Sequence, residues 1–262
     1  MNWMRPLGRT GLAVSAVGLG TVKLGRNSDV KYPQGFELPN DSQARQLLDQ
    51  AKDLGINLLD TAPAYGSSEE RLGGLLAGDR NDWVIVSKVG EEFREGQSRY
   101  DFSPEHTCFS VERSLVRLRC EHIDVVLVHS NGEDLAILQR YGTLDALAEL
   151  KQRGLIGSYG MSTKTLSGGL QAASCCDVLM VTYNPANQAQ EPVLQACHDH
   201  STGVLIKKAL SSGHLDPAEP DPVQASMNLS LRHRATSAVI VGTLSSEHLR
   251  SNVAAARNAL AG

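Results

Sequence analysis

The chain has 262 residues, of which 41% are hydrophobic and 21% charged, with a net charge of −4. This composition carries enough apolar surface for a large core and excludes a disordered chain. The slightly acidic balance, without a Lys/Arg block, excludes an electrostatic footprint for nucleic acid or an anionic membrane.

Length admits either two ordinary domains or one barrel of alternating strands and helices, which reaches roughly 250 residues. No segment approaches the roughly 20 apolar residues that span a bilayer. The N-terminal run is too broken by Gly and Ser for a secretory signal. The five cysteines are odd in number and lack CxxC or Cys/His metal spacing. They read as reduced thiols of a cytoplasmic protein, and no metal site is expected.

Taken in order, residues 5–15 hold Gly8, Thr10 and Gly11 between short apolar pieces and read as a hairpin that plugs or edges the core. Residues 17–19 form a first short strand ending in Gly20 and Thr21, and a long polar loop follows to Asn40. Asp41 or Ser42 is expected to cap a helix with Leu47, Leu48, Ala51 and Leu54 at helical spacing, stopped by Gly55.

Strand and helix then alternate. Strands are expected at 56–59, 84–86, 123–128, 155–161, 178–181, 203–206 and 238–241. Helices are expected at 69–77, 104–118, 143–152, 165–173, 191–200 and 222–232, with a last one carrying Leu249, Val253, Ala256 and Leu260 on one face. The result is about eight short strands, apolar on both faces as in a parallel sheet covered by helices. An open doubly wound sheet is the alternative. Eight regular units in this length favour closure into a (β/α)8 TIM barrel with a short N-terminal β-hairpin, and no GxGxxG opens a helix after a strand. No linker interrupts the chain, so residues 1–262 read as a single domain.

Three apolar runs end in titratable groups. LLDTAPAYG closes on Asp60 and turns onto Tyr65; WVIVSK ends in Lys88; IDVVLVH ends in His129. Each residue alone is equally a solvated polar group at a strand end. On consecutive strands of a barrel, however, all four crowd one sector of the mouth, where barrel active sites lie. There Lys88 is expected to lower the pKa of Tyr65, with Asp60 holding the lysine. Tyr65 becomes a proton donor and acceptor, and His129 orients a carbonyl oxygen. Protonating an oxygen as negative charge arrives on it is what carbonyl reduction requires, and the hydride must come from a cofactor.

These motifs, with RPLGRTGLAVSAVGLGT, IGSYGMS, VTYNP and the terminal VGT and EHLRSN, resemble the aldo-keto reductase superfamily over nearly the whole chain. The resemblance implies an NAD(P)H-dependent reductase of aldehydes or ketones whose tetrad falls on Asp60, Tyr65, Lys88 and His129. It also implies cofactor contacts at Gly20 and Thr21, at Ser162 and Thr163, and at Gly242, Thr243, Ser245, His248 and Asn252. NADPH is the expected cofactor, with NADH not excluded, because the family's usual 2′-phosphate clamp appears here as Gly242 and His248. Thr163 and Met180 stand where the family commonly has Asn and Gln. Lys207 replaces a stacking Tyr; its stem is expected to cover the nicotinamide, while its ammonium disfavours the oxidised form or reaches the pyrophosphate.

The expected partner is a small-molecule carbonyl substrate, with the protein a monomer or small homo-oligomer. The loops at 23–40, 89–103 and 130–142 are expected to rim the mouth, with Tyr32, Phe36, Phe93 or Tyr100 near an open pocket that lacks the C-terminal tail of many relatives. Two other readings remain: a Schiff-base aldolase using Lys88 or Lys207, and a nucleotide-binding regulatory subunit with weak or no turnover.

Overall fold

The alternating apolar runs close on themselves. In the computed structural model, which describes residues 2–30 and 32–262, eight parallel strands form a closed barrel. Met1 and Lys31, the latter within the predicted long first loop, lie outside the described residues. The strands in chain order are β1 Met4–Pro6, β2 Ala13–Ser15, β3 Val17–Gly20, β4 Leu58–Asp60, β5 Val84–Val89, β6 Glu91–Arg94, β7 Gln97–Tyr100, β8 Ile123–His129, β9 Ile156–Ser162, β10 Val178–Thr182, β11 Gly203–Lys207 and β12 Thr236–Val241. The barrel runs β3-β4-β5-β8-β9-β10-β11-β12 and closes where β12 pairs with β3. This is the expected (β/α)8 barrel.

Two cores hold it together. One fills the barrel: Leu58, Val84, Val86, Val125, Leu127, Val178, Met180, Leu205 and Ala238 point inward and are buried. Leu7 and Val14, from the antiparallel β1–β2 hairpin, join this cluster and plug the end at which the strands begin. The second core lies between the strands and the surrounding helices, where residues such as Leu19, Ile85, Val126, Val128 and Leu179 meet Leu47, Leu115, Leu147 and Leu249. Because strand side chains alternate, β4, β5, β8, β10, β11 and β12 feed both cores, which is why these runs are apolar on both faces.

The surrounding helices include Asp41–Asp53, Ser68–Leu75, Pro104–Leu118, Thr143–Gln152, Leu166–Cys175, Glu191–Asp199, Pro222–Arg232 and Ser246–Ala261. The cap of the first lies one residue earlier than expected. Asn40 accepts from the Gln43 amide while the Gln43 side chain accepts from the Asn40 amide, a reciprocal capping box that leaves Asp41 inside the helix. Thr143 likewise opens its helix from the inside, with Gly142 as cap.

Two segments differ from their expected form as simple loops. Residues 91–100 fold into the antiparallel β6–β7 hairpin beyond β5, and Asp134–Gln139 forms a short helix after β8. The hairpin turns through Glu95 and Gly96, both at positive φ (54° and 76°). It brings a carboxylate, Glu91, to the barrel mouth.

Candidate active site

Strand periodicity places the polar groups. Leu58, Val86 and Leu127 face the barrel interior, so Asp60, Lys88 and His129, each two residues further along, are the next inward positions on β4, β5 and β8. By the same rule Lys207 follows Leu205 on β11, and Ser162 sits level with His129 in the β8–β9 register. The apolar filling of the barrel is thus roofed by a layer of polar side chains.

The four predicted residues meet. Lys88 Nζ donates to Asp60 Oδ1 at 2.6 Å and to the Thr61 carbonyl at 2.8 Å. Lys88 is only 1% exposed and Asp60 3%, so the two charges neutralise one another out of water. Tyr65 hangs above them. Its hydroxyl lies 3.5 Å from Asp60 Oδ2, Lys88 Nζ sits 4.6 Å from its ring centre, and the His129 ring stands nearly perpendicular to it at 6.3 Å. Gly66 makes this loop possible: it has φ of 61°, and a Cβ there would collide with the Gly25 carbonyl.

One expectation reverses. Tyr65 has its pKa raised well above the ordinary phenol value, first by burial and then by the negative fields of Asp60, Tyr32 and Glu91. Lys88 donates its hydrogen bonds to Asp60 and Thr61 and lies over the Tyr65 ring. Tyr65 therefore keeps its proton, the form an acid needs.

His129 has a partner that the sequence reading did not identify. Its Nδ1 lies 2.7 Å from Glu91 Oε2, an ion-pair distance, although the N–H direction is not that of a straight hydrogen bond. Burial opposes ionisation of Glu91, but His129 in its protonated form, the Ser98 hydroxyl and Arg26 outweigh it and bring the carboxyl down to about 2. His129 moves the other way: burial, aided by Lys88 and Lys207, outweighs the pull of Glu91 and takes the imidazole below its usual pKa. We take His129 as neutral near pH 7 with Glu91 ionised, since burial is the leading influence on the ring.

The residues expected at the cofactor form three groups. In the first, Lys207 Nζ donates to Ser162 Oγ at 2.7 Å and to the Thr163 carbonyl at 2.9 Å. Burial, then repulsion from Lys208, Lys164 and Lys88, lowers the pKa of Lys207 to about 7. Its ammonium is thus anchored on β9. Thr163 Oγ1 is buried with no hydrogen-bond partner, and Met180, where Gln was the family pattern, belongs to the apolar barrel core. A hydroxyl left unsatisfied beside a second hydroxyl and an amine suits an amide-bearing ring, so these residues fit the carboxamide of a nicotinamide.

In the second group Gly20 and Gly242 abut at the ends of neighbouring strands: a Cβ on Gly242 would lie 3.7 Å from the Gly20 carbonyl and 2.9 Å from the Tyr32 hydroxyl. Two neighbouring strand ends thus lack side chains, and the Tyr32 hydroxyl lies against the second of them. Thr21, by contrast, is committed internally, with its hydroxyl on the Asp60 carbonyl (2.9 Å) and Ser68 Oγ (2.8 Å). It braces the strand end carrying Asp60. The third group lies at the helix Ser246–Ala261: Ser245 caps it by accepting from the His248 amide at 3.2 Å, Thr243 Oγ1 accepts from the Ser245 amide at 3.0 Å, His248 is exposed and Asn252 is buried. Of the expected rim aromatics, Tyr32 packs against Phe36 with Lys23 Nζ 4.0 Å above its ring, while Arg26 covers Phe93 at 3.3 Å.

A closed parallel barrel thus gathers a buried Asp–Lys pair, a phenol and an imidazole at its strand ends, where barrel enzymes carry their active sites. Comparison with known proteins sharpens this. The sequence model described as the Aldo/keto reductase family matches residues 16–229. A Pseudomonas aeruginosa protein described as an aldo-keto reductase superimposes with a TM-score of 0.90 at 53% identity, over 98% of this chain and 95% of its own. The holo form of aldo-keto reductase AKR11C1 from Bacillus halodurans follows with a TM-score of 0.80 at 26% identity, over 96% and 90% of the two chains. L-galactose dehydrogenase of Arabidopsis thaliana is 30% identical, over 96% of this chain and 87% of its own. The chain belongs to the aldo/keto reductase family and is an oxidoreductase. That family uses nicotinamide cofactors on small carbonyl compounds. Among the described residues no helix is long and apolar enough to cross a membrane.

Proposed function

We propose that this protein reduces aldehydes or ketones to alcohols with NADPH, or with NADH as the second candidate, and that Tyr65 donates the proton. The observation that carries the reading is the convergence of Asp60, Lys88, Tyr65 and His129 at one point of the mouth, with Tyr65 held in its protonated form.

The bound nicotinamide supplies the hydride. Ser162, Thr163 and Lys207 hold its carboxamide end, Gly20 and Gly242 let its ring approach the backbone, and Thr243, Ser245, His248 and Asn252 receive the adenosine end. Tyr65 gives its proton to the carbonyl oxygen as charge develops there. The nearby Lys88 ammonium stabilises the phenolate left behind, and Asp60 fixes that ammonium. His129, when protonated, directs the carbonyl oxygen toward Tyr65. Following oxidation of NADPH and NADH over a panel of aldehydes and ketones, with Tyr65→Phe alongside, tests the reading; a native protein that oxidises neither cofactor with any carbonyl would sink it.

One observation favours a second reading. With a pKa of about 7, Lys207 has a neutral amine available near pH 7, the form that attacks a carbonyl to give a Schiff base. Lys88, ion-paired to Asp60, is not available for this. Borohydride trapping of an aldehyde on Lys207 distinguishes this reading. A regulatory subunit without turnover fits less well, because all four acid–base residues are in place. We further propose that residues 1–262 work as one domain, as a monomer or small homo-oligomer in the cytoplasm; light scattering on the purified protein reads the mass.

A further inference from the structure

Glu91 lies outside the four residues that the motifs pick out, yet it is built into the site. It opens β6 and pairs across the hairpin with Tyr100. Tyr100 stacks on Phe102 at 6.0 Å, and Phe102 stacks on Tyr141 at 5.9 Å, so the hairpin is pinned to the barrel rim. On the opposite side Phe93 is covered by the Arg26 guanidinium. Between these anchors the Glu91 carboxylate is 8% exposed, accepts from Ser98 Oγ at 2.6 Å through Oε1, and sets Oε2 2.7 Å from His129 Nδ1.

An imidazole has two nitrogens and, when neutral, one proton. A carboxylate facing Nδ1 keeps that proton on Nδ1, because the other tautomer turns a lone pair toward the negative charge. His129 Nδ1 is buried, whereas the side chain as a whole keeps 21% of its exposure, so the ring edge carrying Nε2 is the part open to the mouth. Neutral His129 thus turns an acceptor toward the mouth, and only the imidazolium turns a donor.

We propose that Glu91 is the positioning residue of His129, holding its neutral form in the Nδ1–H tautomer so that the ring donates to a substrate oxygen only when protonated. The proposal deepens the reductase reading and rests on it. A carbonyl oxygen needs a donor, so reduction draws on the imidazolium; an alcohol has a proton to give, so its oxidation is served by the neutral ring. Proton supply at His129 then biases the direction of the reaction.

The charged and titratable groups around the pair fix the sign. Lys88 and Lys207 face His129 and oppose its protonation, Tyr65 packs edge-on to it, and Glu91 favours the cation. Around Glu91 stand Arg26, Ser98 and Tyr100. Removing the carboxylate therefore leaves the imidazole with burial and two lysines against it. Its titration falls by about 1 to 2 units, the range expected for loss of a close opposite charge.

The test uses the full-length protein labelled with 15N in histidine, the His129 signal being identified by its loss in His129→Gln. The expected result is a neutral His129 protonated on Nδ1, with a titration midpoint about 1 to 2 units lower in Glu91→Gln and largely restored in Glu91→Asp. In parallel, the alkaline limb of kcat/KM for carbonyl reduction moves down by the same amount in Glu91→Gln, a loss of about tenfold per unit at a pH above the limb. A neutral His129 protonated on Nε2, or a midpoint unchanged in Glu91→Gln, overturns the proposal. If Glu91→Gln does not fold by circular dichroism, the tautomer in the native protein and the midpoint in Glu91→Asp decide it. If no carbonyl is turned over, the reductase reading fails, and the NMR titration still reports on the pair.

Discussion

Asp60 and Lys88 form an ion pair of 2.6 Å whose side chains are only 5% and 1% exposed. Removing one member strands the other charge away from water, at a cost of about 3–5 kcal/mol. Lys88→Met or Asp60→Asn alone is therefore expected to lower the thermal unfolding midpoint by on the order of 10 °C. The double variant Asp60→Asn with Lys88→Met should recover most of that loss, because no unpaired charge remains. Differential scanning calorimetry of the four proteins measures it.

Tyr65→Phe removes one oxygen and leaves the ring, its edge-on contact with His129 and the Lys88 ammonium in place. Reduction is expected to fall by about 10² to 10⁴, the usual contribution of a positioned acid. Affinity for the cofactor, read from quenching of protein fluorescence, is expected to stay within about twofold, since the cofactor groups proposed above lie on other strands.

Lys207 gives a prediction about pH. Its pKa is lowered to about 7, so it is cationic below that pH and neutral above it. The oxidised nicotinamide ring carries a positive charge and the reduced ring does not. Affinity for the oxidised form should therefore rise as pH increases through about 7, when the neighbouring cation is lost, while affinity for the reduced form changes less. In Lys207→Met the difference in pH dependence should vanish. Calorimetric titration of both cofactor forms at pH 6 and 8.5 checks this, and parallel pH curves in the native protein would contradict it.

Leu7 reaches from the hairpin into the barrel interior and is fully buried among Leu58, Val84, Val178 and Leu205. Leu7→Ala leaves a cavity at the closed end, expected to cost about 2–5 kcal/mol. Because this end is remote from the strand ends carrying Tyr65, the unfolding midpoint in urea should drop while kcat at 25 °C is retained.

The barrel was legible because its information is one-dimensional. Short two-faced apolar runs, each ending where a polar residue begins, mark both the strands and the layer at which chemistry starts. Asp60, Lys88 and His129 were found in this way, as strand-end exceptions to an apolar run. Glu91 was missed because β7 is exposed throughout, so no alternation betrays the hairpin; the only local cue is Glu95-Gly96, a pair suited to a turn with positive φ at both positions. The direction of the Tyr65 shift was missed for another reason. Motif spacing shows that an ammonium is near the phenol, but only the packed structure shows that Asp60 and a backbone carbonyl have already taken its hydrogen bonds.

The β6–β7 hairpin is held to the barrel by ring stacking, by Arg26 over Phe93 and by the carboxylates of Glu91 and Glu92, the latter paired with Arg113, and it contributes no strand to the closed sheet. The carboxylate facing His129 is thereby written in a stretch of sequence that supplies no barrel strand. A lineage can recode residues 91–100, shifting the acidity at which the enzyme favours one direction, without disturbing the scaffold that positions Tyr65. For an engineer the same ten residues are a cassette: exchanging them changes the proton economy of the site while leaving the architecture intact.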